Sequence, residues 1–428
     1  MSNVPLMKTQ NLLLASITFL IFGCTTSDLD DNSMTVDKPT MSENTPADPI
    51  SGFIPCENGM AGSYPCKGYD LYAFVDLDAL EGFEGNDNWG WTDPLNGKEY
   101  VLVGLDNGTA FVDISIPDYP KFLGKLPTAT DNSIWRDIKV YQNHAYIVSE
   151  APGHGIQVFD MTRLRTVNEP QTFTPDARVT NFGSAHNIAI NEDSGFAYVL
   201  GSQLYNGGPV FYDLSNPKNP QIAGGYQFSG YTHDAQIVTY TGPDETYAGK
   251  EIFMGSHSDG QTYNKLAIID VSDKDSPKIL SEISYSNPGY THQNWLSEDQ
   301  RYLFLGDELD EINMGGPTRT LVFDLSELDN PQLHHVYNGV TRAIDHNGYI
   351  KDEFYYLANY TGGLRVINVN EIGNERMGEV GFFDTYPSDD KANFAGAWSV
   401  YPFFESGIIA INDINSGLFL VKAKNMEN

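Results

Sequence analysis

Residues 266–277, LAIIDVSDKDSP, contain the pattern that decides the fold: a short apolar run that ends in Asp, followed by a turn rich in Asp, Ser and Pro. Apolar runs rich in β-branched and aromatic residues, bounded by such turn residues, are typical of β-strands. Related segments recur at residues 110–120, 156–164, 209–220 and 321–331 and, in more divergent form, at residues 364–374 and 418–424. The sequence therefore contains seven copies of one strand and its turn.

Each copy is preceded by a second apolar strand and, further upstream, by a third element. The third elements begin at Trp91, Arg136, His186, His233, His292, His346 and Trp398, at steps of 45 to 59 residues. Short strands recurring at a period near fifty residues indicate propeller blades, and a closed ring gives each blade the contacts that it cannot supply alone. We therefore predict an all-β fold, a seven-bladed β-propeller over residues 70–428. The run at residues 69–77 is expected to add the outer strand of the last blade.

The first residues carry the features of a targeting sequence. Lys8 precedes an apolar run at residues 12–22, which is about the length of a signal-peptide core and too short to span a bilayer comfortably. The segment IFGC, which ends at Cys24, resembles the bacterial lipobox, in which the cysteine is lipidated and becomes the mature N-terminus. We expect a lipoprotein signal peptide at residues 1–23 and lipidation of Cys24. The alternative, an ordinary thiol at Cys24, would leave an odd cysteine in an exported chain.

The next segments connect this anchor to the propeller. Residues 24–50 hold few large apolar side chains, so they cannot repay the entropy of ordering and are expected to form a disordered tether. Residues 51–69 contain the close pair Cys56 and Cys66, for which an exported protein makes a disulfide the expected state. The anchor implies attachment to a membrane, at the outer membrane or cell surface, and the threonines after the lipidated cysteine favour the outer membrane.

The charge of the chain excludes one class of partner. With 57 acidic and 25 basic residues the net charge is −32, which repels phosphate backbones and makes nucleic acid an unexpected partner. Such acidity favours solubility and attracts cations, and it identifies no ligand by itself. Nothing in the sequence resembles a nucleophile elbow, a phosphate-binding loop or a dinucleotide fingerprint.

The repeats resemble those of a known group of surface proteins. Their LxVxD core is similar to the LVIVD repeat of bacterial and archaeal surface proteins. The ordered motifs WGWTDP, WRDIKVY, GHGIQVFD, YTHDAQ, YTHQNWL, GDELDE, DHNGY and GAWSVYP resemble the choice-of-anchor B family. The resemblance spans residues 56–420. It implies one domain displayed on different surface anchors, in this chain Cys24, without implying an established activity.

Four histidines occupy the same position in four successive repeats, namely His186, His233, His292 and His346. Because the first strand of each propeller blade lines the central channel, we expect these side chains around one mouth of the channel. Convergent neutral imidazoles suit zinc, copper, iron or nickel, so the four are candidate ligands of a divalent or transition metal ion. The competing interpretation is architectural, with each imidazole fixing the turn into its strand.

Carboxylates are expected at the same mouth. Asp307 and Glu308 follow a second strand that runs antiparallel to the strand of His292, so they should lie near that imidazole. Further candidates, as ligands or as groups that orient the imidazoles, are Asp234, Asp345 and Arg136. The neighbouring pair Asp310 and Glu311 also fits a solvated acidic loop.

Three functions remain open. The leading hypothesis is a surface binding protein whose channel mouth holds a metal ion. The second is a metal-dependent hydrolase or oxygenase, which needs an open coordination position beside a carboxylate; the similarity to the four-histidine iron site of the carotenoid oxygenases is one of geometry alone. The third is a metal-free scaffold that binds a protein, a polysaccharide or a small molecule on its rim.

Overall fold

Seven β-sheets, antiparallel apart from one short parallel pairing, make up the fold in the computed structural model, which describes residues 50–227, 230–258 and 263–424. The innermost strands of the seven sheets contact one another in a closed cycle, from the first blade to the last and back. The predicted seven-bladed β-propeller is therefore confirmed. The predicted signal peptide, the lipidation site Cys24 and the tether up to residue 49 lie outside the described residues. No helix among the described residues is long and apolar enough to cross a membrane.

Four strands precede the blades, and the blades then follow in chain order. Ahead of the blades come β1 (Ile50–Ile54), β2 (Met60–Ala61), β3 (Tyr64–Lys67) and β4 (Tyr69–Asp76). Blades 1 and 2 contain β5 (Gly85–Thr92), β6 (Glu99–Leu105), β7 (Gly108–Asp113), β8 (Lys121–Pro127), β9 (Arg136–Tyr141), β10 (His144–Ser149), β11 (Ile156–Asp160), β12 (Gln171–Thr172) and β13 (Ala177–Val179). Blades 3 and 4 contain β14 (Asn187–Asn191), β15 (Phe196–Leu200), β16 (Val210–Asp213), β17 (Gln221–Gly225), β18 (Thr232–Thr239), β19 (Glu251–Ser258), β20 (Asn264–Asp270) and β21 (Lys278–Ile283).

Blades 5 to 7 complete the series. They contain β22 (Thr291–Leu296), β23 (Tyr302–Asp307), β24 (Arg319–Asp324), β25 (Gln332–Asn338), β26 (Gly348–Lys351), β27 (Phe354–Ala358), β28 (Leu364–Asn368), β29 (Gly378–Phe383), β30 (Ala397–Tyr401), β31 (Ile408–Asp413) and β32 (Gly417–Ala423). The helical segments within the described residues are the short helix α1 (Asp310–Met314) and the 3₁₀ turns Met161–Thr166, Leu204–Gly207, Glu245–Tyr247 and Ile372–Asn374.

The aspartates that end the third strands stabilise the turns that follow. Each accepts a hydrogen bond from the backbone N–H two residues further along, at distances from 2.7 to 3.1 Å, in the series Asp113, Asp160, Asp213, Asp270 and Asp324. This is the geometry for which Asp is favoured in turns. These recurrent aspartates are therefore structural residues of the turns.

Segments ahead of blade 1 close the ring. β4 pairs with β32 and supplies the outer strand of blade 7, as predicted, and β1 adds a fifth strand beyond β4. β3 pairs with β29 at the edge of blade 6. The predicted disulfide joins Cys56 to Cys66. The segment expected only as a lead-in therefore adds edge strands to two blades.

Successive blades are held together by apolar packing and by hydrogen bonds between inner strands. Second strands such as β6 are buried along their whole length, because both faces of a blade pack against neighbours. Side chains of one inner strand accept the backbone N–H of a residue in the next inner strand. These pairs are Asp87 with Ile138, Asp137 with Ile188, Gln236 with Leu296, and Gln293 with Gly348, at 2.7 to 3.1 Å. We call them the inter-blade hydrogen bonds.

Candidate metal centre

Four histidine side chains form a row at one mouth of the central channel. They lie at the starts of the inner strands of blades 3 to 6: His186 directly before β14, His233 in β18, His292 in β22, and His346 two residues before β26. Neighbouring imidazole centroids along the row are 4.1, 4.3 and 4.3 Å apart. The shared register of the repeats thus brings the four side chains side by side.

The other three blades place different side chains at this position. Arg136 of blade 2 and Trp398 of blade 7 line the same cavity as the histidines. The prediction for blade 1 is wrong: Trp91 packs against Tyr100 between blades 1 and 2, with ring centroids 5.2 Å apart. Asn86 holds the position instead. β5 begins at Gly85, and Asp87, which directly follows Asn86, makes the same inter-blade hydrogen bond as Asp137, which directly follows Arg136 in blade 2.

Hydrogen bonds fix three of the imidazoles through Nδ1. The Nδ1–H of His233 donates to the carbonyl oxygen of His292 (3.2 Å), and that of His346 donates to the carbonyl oxygen of Trp398 (2.6 Å). His186 Nδ1 lies 2.6 Å from Glu150 Oε1. The Nδ1 of His292 is buried without a hydrogen-bond partner in the described part of the chain. An Nδ1–H given to a carbonyl or carboxylate leaves Nε2 to bind a ligand, as in most metal-binding histidines.

Burial keeps three of the four imidazoles neutral. It lowers the pKa of His346 to about 3, and it lowers the pKa values of His233 and His292 well below the ordinary histidine value, with neighbouring imidazoles adding to the effect. His186 differs: burial alone would lower its pKa, but the adjacent Glu150 carboxylate raises it above the usual value. A neutral imidazole that carries its proton on Nδ1 has a lone pair on Nε2.

Glu308 faces two of these imidazoles. Its Oε1 lies 3.6 Å from Nε2 of His346, and its Oε2 lies 3.7 Å from Nε2 of His292. The hydroxyl of Tyr360 donates to Glu308 Oε1 at 3.0 Å, and burial raises the pKa of Glu308 to about 7. The ligand atoms of His292, Glu308 and His346 all lie within 4.8 Å of one another. Glu308 is thus near His292, as expected, while His186 and His233 extend the row outside this group of three.

The cavity at the row is small. Its volume is about 20 Å³, enough for one water molecule or one small ion. Arg136 forms part of its wall and is itself held in place: its Nε donates to the carbonyl oxygen of Leu105 (2.9 Å) and its Nη1 lies 3.1 Å from Nε2 of His154. No sequence motif assigns His154 a role, because its contact with Arg136 depends on tertiary structure that no local pattern encodes.

Deeper in the channel, the inner strands carry a buried charge network and then aromatic rings. Lys139 lies 2.8 Å from Asp137 and 3.6 Å from Asp87, and these carboxylates raise its pKa although burial acts in the opposite direction. Its ammonium group also lies 4.6 Å from the ring centre of Trp89. Beyond it, five aromatic rings pack against one another, those of Trp89, Trp295, Tyr349, Tyr401 and Phe403. The cavity therefore ends within the channel.

The remaining predicted carboxylates have other surroundings. Asp307 is fully buried and accepts hydrogen bonds from the N–H groups of Gly289 and Tyr290 and from the Tyr285 hydroxyl, so protein donors occupy its oxygens. Asp234 is half-buried, and burial together with nearby Asp137 raises its pKa to about 7.

Asp345 belongs to a separate group with Asp310 and Glu311. A solvated loop was one interpretation of Asp310 and Glu311 from the sequence. Both are instead buried, with 4% and 3% of their surface exposed.

Comparison with known proteins supports the architecture. No family model and no curated protein matches the sequence. Among solved structures, the β-propeller domain of Cps50 (Swd1) from Myceliophteria thermophila aligns with a TM-score of 0.51 at 13% identity, over 80% of this chain and 97% of that one. Hydrazine synthase from Kuenenia stuttgartiensis aligns with a TM-score of 0.54 at 12% identity, over 82% of this chain and 98% of that one. The likeness is one of fold.

Proposed function

We propose that this chain is a surface lipoprotein of the choice-of-anchor B type whose propeller binds a transition metal ion at the row of histidines. His292, His346 and Glu308 are the primary ligands, and His233 and His186 are the adjacent imidazoles that can complete the coordination. The lipid anchor at Cys24 rests on the lipobox resemblance, and the β-propeller provides the rigid scaffold for binding.

The observation that carries the proposal is the pairing of His346 with Glu308. The Nδ1–H of His346 is committed to a carbonyl oxygen, so a neutral ring directs the Nε2 lone pair to Oε1 of Glu308, 3.6 Å away, which also accepts when that carboxyl group is ionised. Two acceptors at that distance are stabilised by a cation between them. Ligands about 2.1 Å from one ion and roughly 110–120° apart are themselves about 3.4–3.6 Å apart, which matches this spacing.

The direct test is metal analysis with zinc as the probe. We expect wild-type protein, stripped and then dialysed against Zn²⁺, to retain about one equivalent with imidazole ligation, since neutral imidazoles and a carboxylate are typical zinc ligands. The variants His233→Ala/His292→Ala and His292→Ala/His346→Ala should bind at least about 100-fold more weakly, because metal affinity depends on each ligand. His335→Ala, on the outer strand β25, is the matched control and should bind as wild type does.

Folded wild-type protein that retains no zinc after this treatment, and no copper, iron or nickel after the same treatment with those ions, would refute the proposal. Equal retention by the double variants and by the His335→Ala control would refute the assignment of the ligands. Circular dichroism of every variant separates loss of metal from loss of fold.

A metal-dependent hydrolase or oxygenase is the second candidate, and Glu308 is the observation that favours it. A carboxylate beside two imidazoles provides two nitrogen ligands and one oxygen ligand, a set that leaves coordination positions open. The cavity of about 20 Å³ admits water or dioxygen but no organic substrate. Oxygen consumption and ester hydrolysis by metal-loaded protein, each compared with the Glu308→Gln variant, test this candidate; the binding function predicts no turnover in either assay.

A further inference from the structure

A second group of ligands lies beside the row of histidines and has a different chemistry. Asp310 and Glu311 begin α1, directly after β23, and Asp345 immediately precedes His346. One carboxylate oxygen from each of the three lies within 4.8 Å of the others. Their exposed fractions are 4%, 3% and 1%. We call these three residues the acidic triad.

Two members of the triad are each held by one oxygen. The Nε–H of Arg319 donates to Asp310 Oδ2, and the backbone N–H of Arg319 donates to Glu311 Oε1 at 3.0 Å. The other oxygens, Asp310 Oδ1 and Glu311 Oε2, are buried and accept from no N–H or hydroxyl group in the described parts of the chain, while the two carboxyl groups lie close enough to share a proton. The strand β24 therefore fixes both side chains and leaves one oxygen of each without such a donor.

Asp345 is the member of the triad whose carboxylate no hydrogen bond from the described part of the chain holds in place. Both of its carboxylate oxygens are buried, and neither has a hydrogen-bond partner among the described residues. The chain also leaves room for this carboxylate, because a Cβ at the facing residue Gly306 would lie 2.5 Å from Asp345 Oδ2. Buried carboxylates in proteins are normally paired, hydrogen-bonded or bound to a metal. The triad thus presents four carboxylate oxygens that no N–H or hydroxyl group in the described residues reaches.

The local charge is unbalanced as well. Arg319 is paired with Asp310 and also lies 3.8 Å from Asp307 Oδ2, so a single guanidinium group faces both carboxylates. Like charges this close together in a buried site repel one another strongly. Ionised carboxylates packed this closely need a further positive charge.

Carboxylate oxygens select hard cations, in contrast to the imidazoles of the neighbouring site. One oxygen from each of the three carboxylates lies within 4.8 Å of the other two, so the three can bind one cation together. Calcium accepts a set of protein oxygens in flexible geometry, whereas magnesium usually keeps several of its waters, so a site built from protein carboxylates favours calcium. We propose that Asp310, Glu311 and Asp345 form a calcium site, distinct from the histidine site and independent of whether that site binds a metal.

Calcium titration of chelator-treated, full-length protein tests this proposal. In about 0.1 M salt, which screens the acidic surface, we expect one saturable site by calorimetry and a rise of several degrees in the unfolding temperature at millimolar Ca²⁺. Glu311→Gln should weaken Ca²⁺ binding at least tenfold, and Asp345→Asn should do the same. Asp329→Asn, which makes the same charge change at an exposed loop position, should leave binding unchanged.

The two metal sites can fail separately. His292→Ala should keep the Ca²⁺ response while losing Zn²⁺, and Glu311→Gln should keep Zn²⁺ while losing the Ca²⁺ response. A wild-type unfolding temperature that does not respond to Ca²⁺ up to about 10 mM would overturn the calcium site, since exported calcium modules bind at or below that range. An equal response in wild type, Glu311→Gln and Asp345→Asn would overturn it too. That result would indicate that protons shared among the carboxyl groups, rather than Ca²⁺, neutralise their charge.

Discussion

Asp413 is a carboxyl group that the fold buries completely at the end of β31. Its Oδ1 accepts hydrogen bonds from the N–H groups of Asn415 and Ser416, both at 2.9 Å. Burial nevertheless raises the pKa of Asp413 to about 6 from the ordinary 3.8. Between these two values the folded state binds more protons than the unfolded state, so this group makes stability fall as the pH rises from 4 to 6.

Replacing this carboxyl by an amide should remove the penalty. The interval from 3.8 to about 6 corresponds to about 3 kcal/mol, and Asn keeps an oxygen for the two N–H donors. We expect Asp413→Asn and wild type to have similar free energies of unfolding near pH 4, and the variant to be more stable by up to about 3 kcal/mol at pH 7. Urea denaturation across this range measures the difference. A constant difference, such as Asp329→Asn should show, would contradict the assignment.

Two glycines on either side of His154 allow a matched comparison. Gly153 and Gly155 have φ of +73° and +69°, so Ala is strained at both positions. A Cβ at Gly153 meets nothing within 4 Å, whereas one at Gly155 would lie 1.9 Å from the carbonyl oxygen of Val179 in β13. We expect Gly153→Ala to cost about 1 kcal/mol and Gly155→Ala at least about 2 kcal/mol more, because β13 must move away from β11.

Equal losses of unfolding free energy in the two alanine variants would show that backbone strain alone decides the effect. Thermal or urea denaturation at one pH is sufficient for the comparison.

At the residue scale, the residues that recur at the same position of the repeats could be predicted from the sequence, and those without a recurring counterpart could not. The phase of the four histidines was visible because a rare side chain returned in one register. Trp91 was misplaced because two tryptophans lie near the end of a long first strand, while Asn86 offers no distinctive signal. Its neighbour Asp87 matches Asp137 after Arg136, and alignment on that aspartate would have found the correct position.

At the scale of elements, the inner strands are joined by side chains that reach across blades. Gln236 in β18 accepts the backbone N–H of Leu296 in β22 at 2.7 Å. Gln236→Leu keeps a similar volume but leaves that N–H without its partner, which costs about 1–3 kcal/mol. We expect this loss in urea denaturation, with faster hydrogen exchange at Leu296.

The control for this variant is Gln221→Leu on the outer strand β17. The Gln221 amide donates to nearby carbonyl oxygens of its own turn, so its loss should change stability by less than about 0.5 kcal/mol. Similar effects of the two leucine variants would show that the inter-blade hydrogen bonds add no stability.

The strands of the blades were predictable because buried blades impose long apolar runs. The extra edge strands β1 and β3 were not predictable. Nothing in the short sequences of β1 and β3 indicates which sheet edge they join, since edge pairing depends on which strand edges remain unpaired in the folded ring. The acidic triad was hidden for the same reason. Asp310 lies in blade 5 and Asp345 at the start of blade 6, and only the packing of these two neighbouring blades brings them together.

At the scale of the whole molecule, the ring is closed outside its repeats. β4 pairs with β32 and β3 pairs with β29, with the Cys56–Cys66 disulfide immediately ahead of β4. The cross-link joins residues ten apart, and the lost entropy of the unfolded chain makes such a loop worth about 3 kcal/mol. We expect Cys56→Ser/Cys66→Ser to lose about 2–3 kcal/mol, with faster hydrogen exchange first in β3 and β29.

Mild reduction of the wild-type protein should reproduce the effect of the double serine variant. If reduction and substitution both leave the unfolding midpoint unchanged, the disulfide does not contribute to closing the ring.

The same closure brings two distant parts of the chain to one place. The N–H of Lys424, after the last strand, donates to the carbonyl oxygen of Gly68, just before β4, at 2.8 Å. A short peptide link between these points would therefore give a circular permutant, with new ends opened at an exposed turn such as the one around Gly97. Such a permutant, which lacks β1 to β3 and the disulfide, should still form the seven blades, because β4 still completes blade 7. Its attachment point could then be moved from blade to blade while the histidine row keeps its geometry.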